Sequence, residues 1–551
     1  MRKALFVFVT ATLPAFAFAQ EAPAPQPLVP LAPIEQAPLA KSVFATGVLD
    51  KSSGALPDKL WRGADAELLK TLIEKAPARP AAPSINAALR LVLESAGDPP
   101  VGSSAELGGA KLMALARAGF ADDARTIESL STGDKGEPTI LEALAVADLL
   151  RNDPVGACEK NQRIAGALND VEAVKLRVFC YARANELDAA ELALSVLRDR
   201  GDLSETDVAI LTPLTAGGAL QRPVAPIDAI HYAALRAMNI SLTPDLLGAA
   251  DAGVLAAIAN NAEASVELRL EAARRAAAMG ALDGAALRTL FGSVSIDVAT
   301  VSNADALLRL QLDDVSTLAA AFQNVASKSA PEFIRDRAVM IADVINRSQG
   351  FSRKYAASLL FADDITTLEG AIVNPTEAQA FALARLMVGD AAGAERWLSN
   401  AAEGDNLPAL AGYLSLLDSA ASARIAAALG VAPAKPKFIS GVGVTHDAAL
   451  GDIVAAALGA ASTGSEGQSA LAAVAASTAA AKGDGVARAI VKSGLANAGL
   501  ESLARRWAFE TAYRSASPSL SASEPAPAAS GKAETGEGSV PAPSLKPKKA
   551  S

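Results

Sequence analysis

Two cysteines and two histidines are the residues of this chain best equipped for chemistry. Cys158 and Cys180 lie 22 positions apart, and they could form either a redox or nucleophilic pair or a structural disulfide between neighbouring helices. The first 19 residues have the pattern of an export signal, and exported proteins meet an oxidising environment. We therefore predict a structural disulfide, which on the chain-entropy relation is worth about 3 kcal/mol.

The histidines offer little to a metal or a catalytic triad. His231 lies in AIHYAALRAM, and His446 lies in VGVTHDAALG beside Asp447. A zinc site needs three or four clustered ligands, and neither histidine has a second one at metal spacing. Adjacent His and Asp residues rarely converge as a triad requires, and the G-x-S-x-G motif is absent. We expect both histidines to be structural or surface residues, and predict no catalytic, cofactor-binding or metal-ligating residues.

The other motifs that could support chemistry are better explained by structural roles. Gly441-Val442-Gly443 lacks the third glycine and the acidic residue of a dinucleotide site, so it predicts a turn. Paired carboxylates can hydrolyse glycosides, but they must flank the sugar in a cleft, which we expect to be lined by aromatic residues, and only 4% of residues are aromatic. The acidic pairs are therefore predicted to cap helices or to lie on solvated faces; they are Asp122-Asp123, Asp313-Asp314 and Asp363-Asp364.

The elements that must position these residues are helices arranged as hairpins. A turn residue is followed five positions later by alanine in several places, and four positions before the turn are apolar in the first four copies. The first three copies are spaced by 33 residues, which indicates stacked hairpins that bury a continuous core together. Trp397 and Trp507 occupy the same position after their turns, so we expect them to pack between hairpins. The copies are Gly119/Ala124, Asn152/Ala157, Asn185/Ala190, Gly389/Ala394 and Gly499/Ala504.

The turn residue, the alanine five positions later and the 33-residue spacing together resemble the pattern of tetratricopeptide repeats, mainly over residues 104–202. The resemblance implies an all-α fold, an α-solenoid of TPR-like antiparallel helix hairpins, with disordered N- and C-terminal tails. The sequence departs from that family at Leu112, Ala145 and Val178, where a glycine is expected. Separately, residues 60–80 resemble uncharacterised exported alanine-rich proteins of alphaproteobacteria, some of which are labelled "antifreeze".

The N-terminus has the three parts of a secretory signal. Arg2 and Lys3 precede an apolar stretch over residues 4–13, and Ala17-Phe18-Ala19 is a small-x-small cleavage site. The apolar stretch is too short to span a bilayer comfortably. We predict cleavage after Ala19 and a periplasmic or secreted protein with no transmembrane segment after cleavage.

Composition shifts divide the chain into seven parts. Prolines and alanines follow the signal, the helical pattern breaks near Pro433, and no core-forming pattern remains after Ser515. The predicted parts are a signal peptide (1–19), a Pro/Ala-rich tether (20–40), a TPR-like repeat region (41–218), a second helical region (219–432), a linker (433–450), small-residue helical hairpins (451–514) and a disordered tail (515–551).

Composition also limits the function. About 23% of the 551 residues are alanine, and the net charge is −10, so the chain has no electrostatic basis for binding nucleic acid. The sequence favours a non-catalytic protein–protein interaction scaffold in the cell envelope, with a protein partner of unknown identity and no cofactor. Two alternatives stay open: a cell-wall or polysaccharide-acting enzyme with its site in residues 220–514, and an ice- or surface-binding protein.

Overall fold

The computed structural model describes residues 40–164, 166, 169–310, 314–401, 404, 406–438 and 448–516. From Lys41 onward the described residues form one compact unit. The predicted signal peptide, the tether up to residue 39, Asp313, the turn at 441–443, His446 and the tail beyond residue 516 lie outside the described residues.

The described part of the chain is all-α. It forms 27 α-helices and two short 3-10 helices, at Pro244–Ala249 and Pro331–Phe333, and its extended pairing is a single bridge between Leu49 and Ser95. Among these helices, none combines the length and apolar character needed to cross a bilayer.

The first nine helices cover the predicted repeat region. Three pairs of consecutive helices pack together across the turns at Gly119, Asn152 and Asn185, and each pair contacts the next. The helices are α1 (Ala66–Glu74), α2 (Pro83–Glu94), α3 (Ala105–Ala118), α4 (Ala121–Leu130), α5 (Pro138–Leu150), α6 (Pro154–Ile164), α7 (Val171–Arg183), α8 (Leu187–Arg200) and α9 (Glu205–Ala216).

Fourteen helices make up the second helical region, and four more follow it. Those of the second region are α10 (Ala229–Ala237), α11 (Ala252–Asn260), α12 (Val266–Ala278), α13 (Gly284–Ser293), α14 (Val298–Ser302), α15 (Ala304–Leu310), α16 (Val315–Ser327), α17 (Ile334–Arg347), α18 (Gly350–Leu360), α19 (Ala362–Thr367), α20 (Pro375–Met387), α21 (Ala391–Ser399), α22 (Leu407–Leu417) and α23 (Ser419–Leu429). The last four are α24 (Ala448–Thr463), α25 (Glu466–Ala481), α26 (Gly485–Asn497) and α27 (Glu501–Ala516).

The predicted turn residues share one backbone conformation. All five have positive φ angles, from 62° at Asn152 to 106° at Gly119. At each, its N–H bonds the carbonyl three residues back, and the next N–H bonds the carbonyl five residues back. This is the Schellman arrangement, which needs a residue tolerant of left-handed backbone. The alanine five positions later is buried in every copy, so the two helices approach closely there.

The structure joins α6 and α7 by a disulfide between Cys158 and Cys180, whose Cα atoms are 5.5 Å apart. The three tryptophans are buried in the core. Trp397 meets Phe381 edge-on with ring centroids 4.9 Å apart, and Trp61 packs on Phe44 at the same distance. The described members of the acidic pairs lie at helix starts: in the first turns of α4 and α19, and at the N-cap of α16.

Of the last four helices, α25 packs against α1 and α2, and α27 packs against α2. Leu450 to Trp507 share one apolar cluster with Val43 to Leu144, and the carbonyl of Leu60 accepts a hydrogen bond from the N–H of Gly467 at 2.9 Å. Deeper in this contact, the Ser84 hydroxyl donates to the buried carboxylate of Glu510 at 2.6 Å. The two ends of the described chain therefore share a core.

Candidate functional site

A cleft of about 680 Å³ lies between the α5–α6 turn, α7, α10 and the α11–α12 turn. Two further cavities are smaller, at about 110 and 20 Å³. Ligand pockets commonly enclose about 300–1,000 Å³, so this cleft is the candidate binding site.

Helix α10 forms one wall of the cleft. Asp228 caps its N-terminus, accepting a hydrogen bond from the N–H of His231 at 2.9 Å. Tyr232 and Arg236 are four residues apart, hence on one face of the helix, and both line the cleft. His231 does not line the cleft; its ring nitrogens face Asp207 on α9 and Asp228 at the start of its own helix. One short helix thus contributes to two polar environments.

Hydrogen bonds fix the polar side of the cleft. Arg236 donates to the side-chain oxygen of Asn152 at 2.6 Å and to Glu263 at 2.9 Å. Asn261 donates to the Tyr232 hydroxyl at 3.0 Å. Burial raises the pKa of Tyr232 above its ordinary value, so the phenol keeps its proton at neutral pH. Asn152 therefore serves twice, as a left-handed turn residue and as an acceptor in the cleft wall.

The rest of the cleft combines apolar side chains with exposed polar ones. Phe179 and Leu268 line it as buried residues, whereas Arg183, Asn239 and Ser241 are exposed at its edge. A surface of this kind offers apolar contact together with groups that donate and accept hydrogen bonds.

Behind α10 lies a buried cluster of charged side chains. The His231 side chain is 2% exposed, and its Nε2 is 3.0 Å from Oδ1 of Asp207, which is equally buried. Its Nδ1 is 3.3 Å from Oδ2 of Asp228. The Lys175 ammonium from α7 lies 2.8 Å from the same Asp207 oxygen and 3.3 Å from Glu172. Side chains from three helices and one cap residue thus meet in this cluster.

Asp207 is the anionic centre of this cluster. Burial alone would raise its pKa, but hydrogen bonds from His231, Lys175 and Ser204 outweigh burial and hold the pKa well below the ordinary value. Ser204 and Asp207 also form a reciprocal capping box at the start of α9. For Lys175 burial opposes the charge, yet Glu172 and Asp207 raise its pKa. Asp207 and Lys175 are therefore both ionised at neutral pH.

Nearby carboxyls have raised pKa values. Burial, helped by Asp170, raises the pKa of Glu142 on α5 to about 8. Burial also raises the pKa of Asp251, the N-cap residue of α11, to about 6. Neither side chain lines the cleft. The carboxylate that does, Glu263, has its side chain 80% exposed and paired with Arg236.

Sequence spacing pointed to no partner for His231, but the structure brings Asp207 and Asp228 to it. Each of the three groups offers a ligand atom within 4.8 Å of the others. Asp207 is 24 positions from His231, a separation that helical spacing cannot relate. Asp228 is three positions away, and S-x-x-D at Ser204–Asp207 is a recognisable capping box, so part of the cluster had a sequence signal that our prediction missed.

The chain matches no protein-family model, no curated protein and no solved structure. Its functional interpretation therefore depends on its own geometry.

Proposed function

We propose that this protein is a non-catalytic helical-repeat scaffold that binds an extended segment of a partner protein in the cleft beside α10. The observation that carries the proposal is the 680 Å³ cleft with mixed apolar and hydrogen-bonding walls, set between repeat hairpins. Hairpin arrays commonly bind their partners on surfaces of this kind. The export pattern of residues 1–19 supports a partner in the cell envelope.

The character of the walls supports a peptide-like ligand. An extended chain carries backbone donors and acceptors at every residue, and Asn239, Ser241 and Arg183 at the edge supply complementary groups. Phe179 and Leu268 supply apolar contacts for its side chains. The Arg236–Asn152 and Asn261–Tyr232 hydrogen bonds pre-form the polar wall, which reduces the entropy cost of ordering it on binding.

The enzymatic alternative has weaker support in the cleft. Hydrolysis of a sugar bond needs an acid with a raised pKa beside the substrate. The cleft carboxylate Glu263 is exposed and ion-paired, and the buried Glu142 lies elsewhere. Binding without catalysis therefore accounts for the arrangement more directly.

A cleft-filling variant tests the proposal. Ala237 is an exposed residue that lines the cleft, whereas Ala420 is exposed on α23, distant in sequence from it. A photo-crosslinking residue at Ser241 should capture a defined partner in intact cells, Ala237→Trp should abolish the crosslink, and Ala420→Trp should leave it unchanged. Equal crosslinking in all three proteins, with unchanged melting temperatures, would contradict binding in the cleft.

A further inference from the structure

We propose that the cleft beside α10 selects proline-rich segments that carry one acidic residue. This ligand class rests on the proposed binding function of the cleft and names the chemistry of the segment that it binds. Three properties of the cleft walls point to it: their hydrogen-bond acceptors, their hydrogen-bond donors and their charges.

The side-chain acceptors of the polar wall are mostly engaged within the wall itself. The carboxylate of Glu263 and the side-chain oxygen of Asn152 both accept from Arg236. The side-chain oxygen of Asn261 accepts the N–H of Glu263 at 3.1 Å, which turns the Asn261 NH₂ group to the Tyr232 hydroxyl. A ligand therefore meets few side-chain acceptors for its own N–H groups.

Several donors of the same walls have no acceptor. Arg183 lines the cleft at the end of α7, and its guanidinium has neither a hydrogen bond nor an ion pair to any residue that the structure describes. The Tyr232 hydroxyl accepts from Asn261, but its own hydrogen has no acceptor within the described ranges. The NH₂ group of Asn152 likewise donates to none of the described residues. A ligand that fits these walls must present more acceptors than donors.

Proline supplies this excess of acceptors. Each prolyl residue keeps its carbonyl oxygen but has no N–H, so a proline-rich segment brings few donors that the cleft would leave without partners. Phe179 and Tyr232 line the cleft, and proline-rich chains dock on aromatic-lined grooves. A polyproline II helix has no internal hydrogen bonds, so its carbonyls stay available. A sugar fits less well, because each of its hydroxyls brings a further donor.

The charges of the cleft favour a single carboxylate on the ligand. Arg183 and Arg236 line the cleft with one acidic residue, Glu263, which leaves one net positive charge. Because Arg236 pairs with Glu263 at 2.9 Å, Arg183 is the cation available to a ligand. A guanidinium can bind a carboxylate through two parallel hydrogen bonds. A second carboxylate would be repelled by Glu263, whose side chain is 80% exposed.

An unbiased selection tests the ligand class. The immobilised full-length protein selects from a random library of short peptides, and Ala237→Trp, which fills the cleft, provides the counter-selection. We expect the peptides that only the wild type retains to be enriched in proline and to carry one aspartate or glutamate. Enrichment of peptides without proline, or equal retention by the two proteins, would overturn the proposal.

Calorimetric titration of the most enriched peptide then tests the groups involved. Arg183→Gln should weaken binding by roughly tenfold, and this loss should disappear when the acidic residue of the peptide is replaced by its amide. Arg505→Gln, at an exposed position of α27 that does not line the cleft, is the matched control and should bind as the wild type does. Replacing the prolines of the peptide by alanine should also weaken binding, because each replacement adds an N–H. Undiminished affinity in Arg183→Gln, or of the alanine peptide for the wild type, would contradict the proposed ligand class.

The crosslink from Ser241 in intact cells separates this ligand class from the scaffold function. A partner captured through a proline-rich segment would support both. A partner captured through a segment without proline would overturn the ligand class and leave binding in the cleft intact. Absence of both the crosslink and any enriched peptide would overturn the binding function as well.

Discussion

The turn between α3 and α4 gives a prediction that separates backbone strain from packing. Gly119 has φ of 106°, and a Cβ there would lie 2.5 Å from the Cβ of Ala281, a buried residue in the turn after α12. Gly201, after α8, has φ of 73°, and nothing among the described residues lies within 4 Å of its would-be Cβ. The two glycines share a conformation and differ in their neighbours.

The magnitudes follow from that difference. An alanine in left-handed backbone costs about 1–2 kcal/mol, which Gly201→Ala and Gly119→Ala both incur. Gly119→Ala must also push two turns apart, and overpacking costs about 1–3 kcal/mol more. We therefore expect a loss of roughly 2–5 kcal/mol for Gly119→Ala against 1–2 kcal/mol for Gly201→Ala.

Denaturant unfolding of the two variants measures the free-energy losses, and amide hydrogen exchange locates them. For Gly119→Ala we expect faster exchange at the ends of α3 and α12, whose turns meet. For Gly201→Ala we expect faster exchange at the end of α8 alone. Equal losses in the two variants would refute the contact between the α3–α4 turn and Ala281.

Three further predictions concern the hairpins. Replacing Cys158 and Cys180 by serine should lower stability by about 3 kcal/mol, because the bridge closes a 22-residue separation; a melting temperature equal to that of the wild type would contradict this. Glu142→Gln should gain stability over the wild type as pH rises from 4.5 to about 8, since the folded wild type holds a proton there that the unfolded chain releases; a constant difference from pH 4 to 9 would refute it. Ala157→Leu, at a fully buried hairpin contact, should cost about 1–3 kcal/mol in thermal or denaturant unfolding, whereas Val155→Leu at an exposed position should be neutral.

Local features of the fold were predictable because their causes are local. A left-handed turn needs glycine or asparagine, and a close helix crossing needs a small side chain, so Asn152 with Ala157 and Asn185 with Ala190 mark hairpins in the sequence itself. All-helical structure follows from the same periodicity. The boundaries between the predicted parts of the chain were harder to predict. Helix α24 begins at Ala448, inside the stretch predicted as a linker.

The site was harder to predict because its residues come from separate helices. The cleft joins Asn152, Phe179, Tyr232 and Asn261, and no spacing rule relates positions so far apart. Helical spacing could have related His231 to Asp228, but Asp207 meets the imidazole, and Lys175 meets Asp207, only through the packing of α7, α9 and α10.

The contact between the first and last described helices explains why the last helices are so rich in small residues. In an open array, the terminal repeats need a polar outer face to meet water. Here α25 buries most of its length, from Gly467 to Ser477, against α24, α26 and the first two helices. A helix that is apolar on all sides must be surrounded by neighbours, and alanine, glycine and serine let those neighbours come close: a Cβ on Gly467 would lie 2.5 Å from the ring of Trp61. The sequence of α25 thus specifies a central helix, and the N-terminal helices supply part of the apolar surface that an open array would leave uncovered.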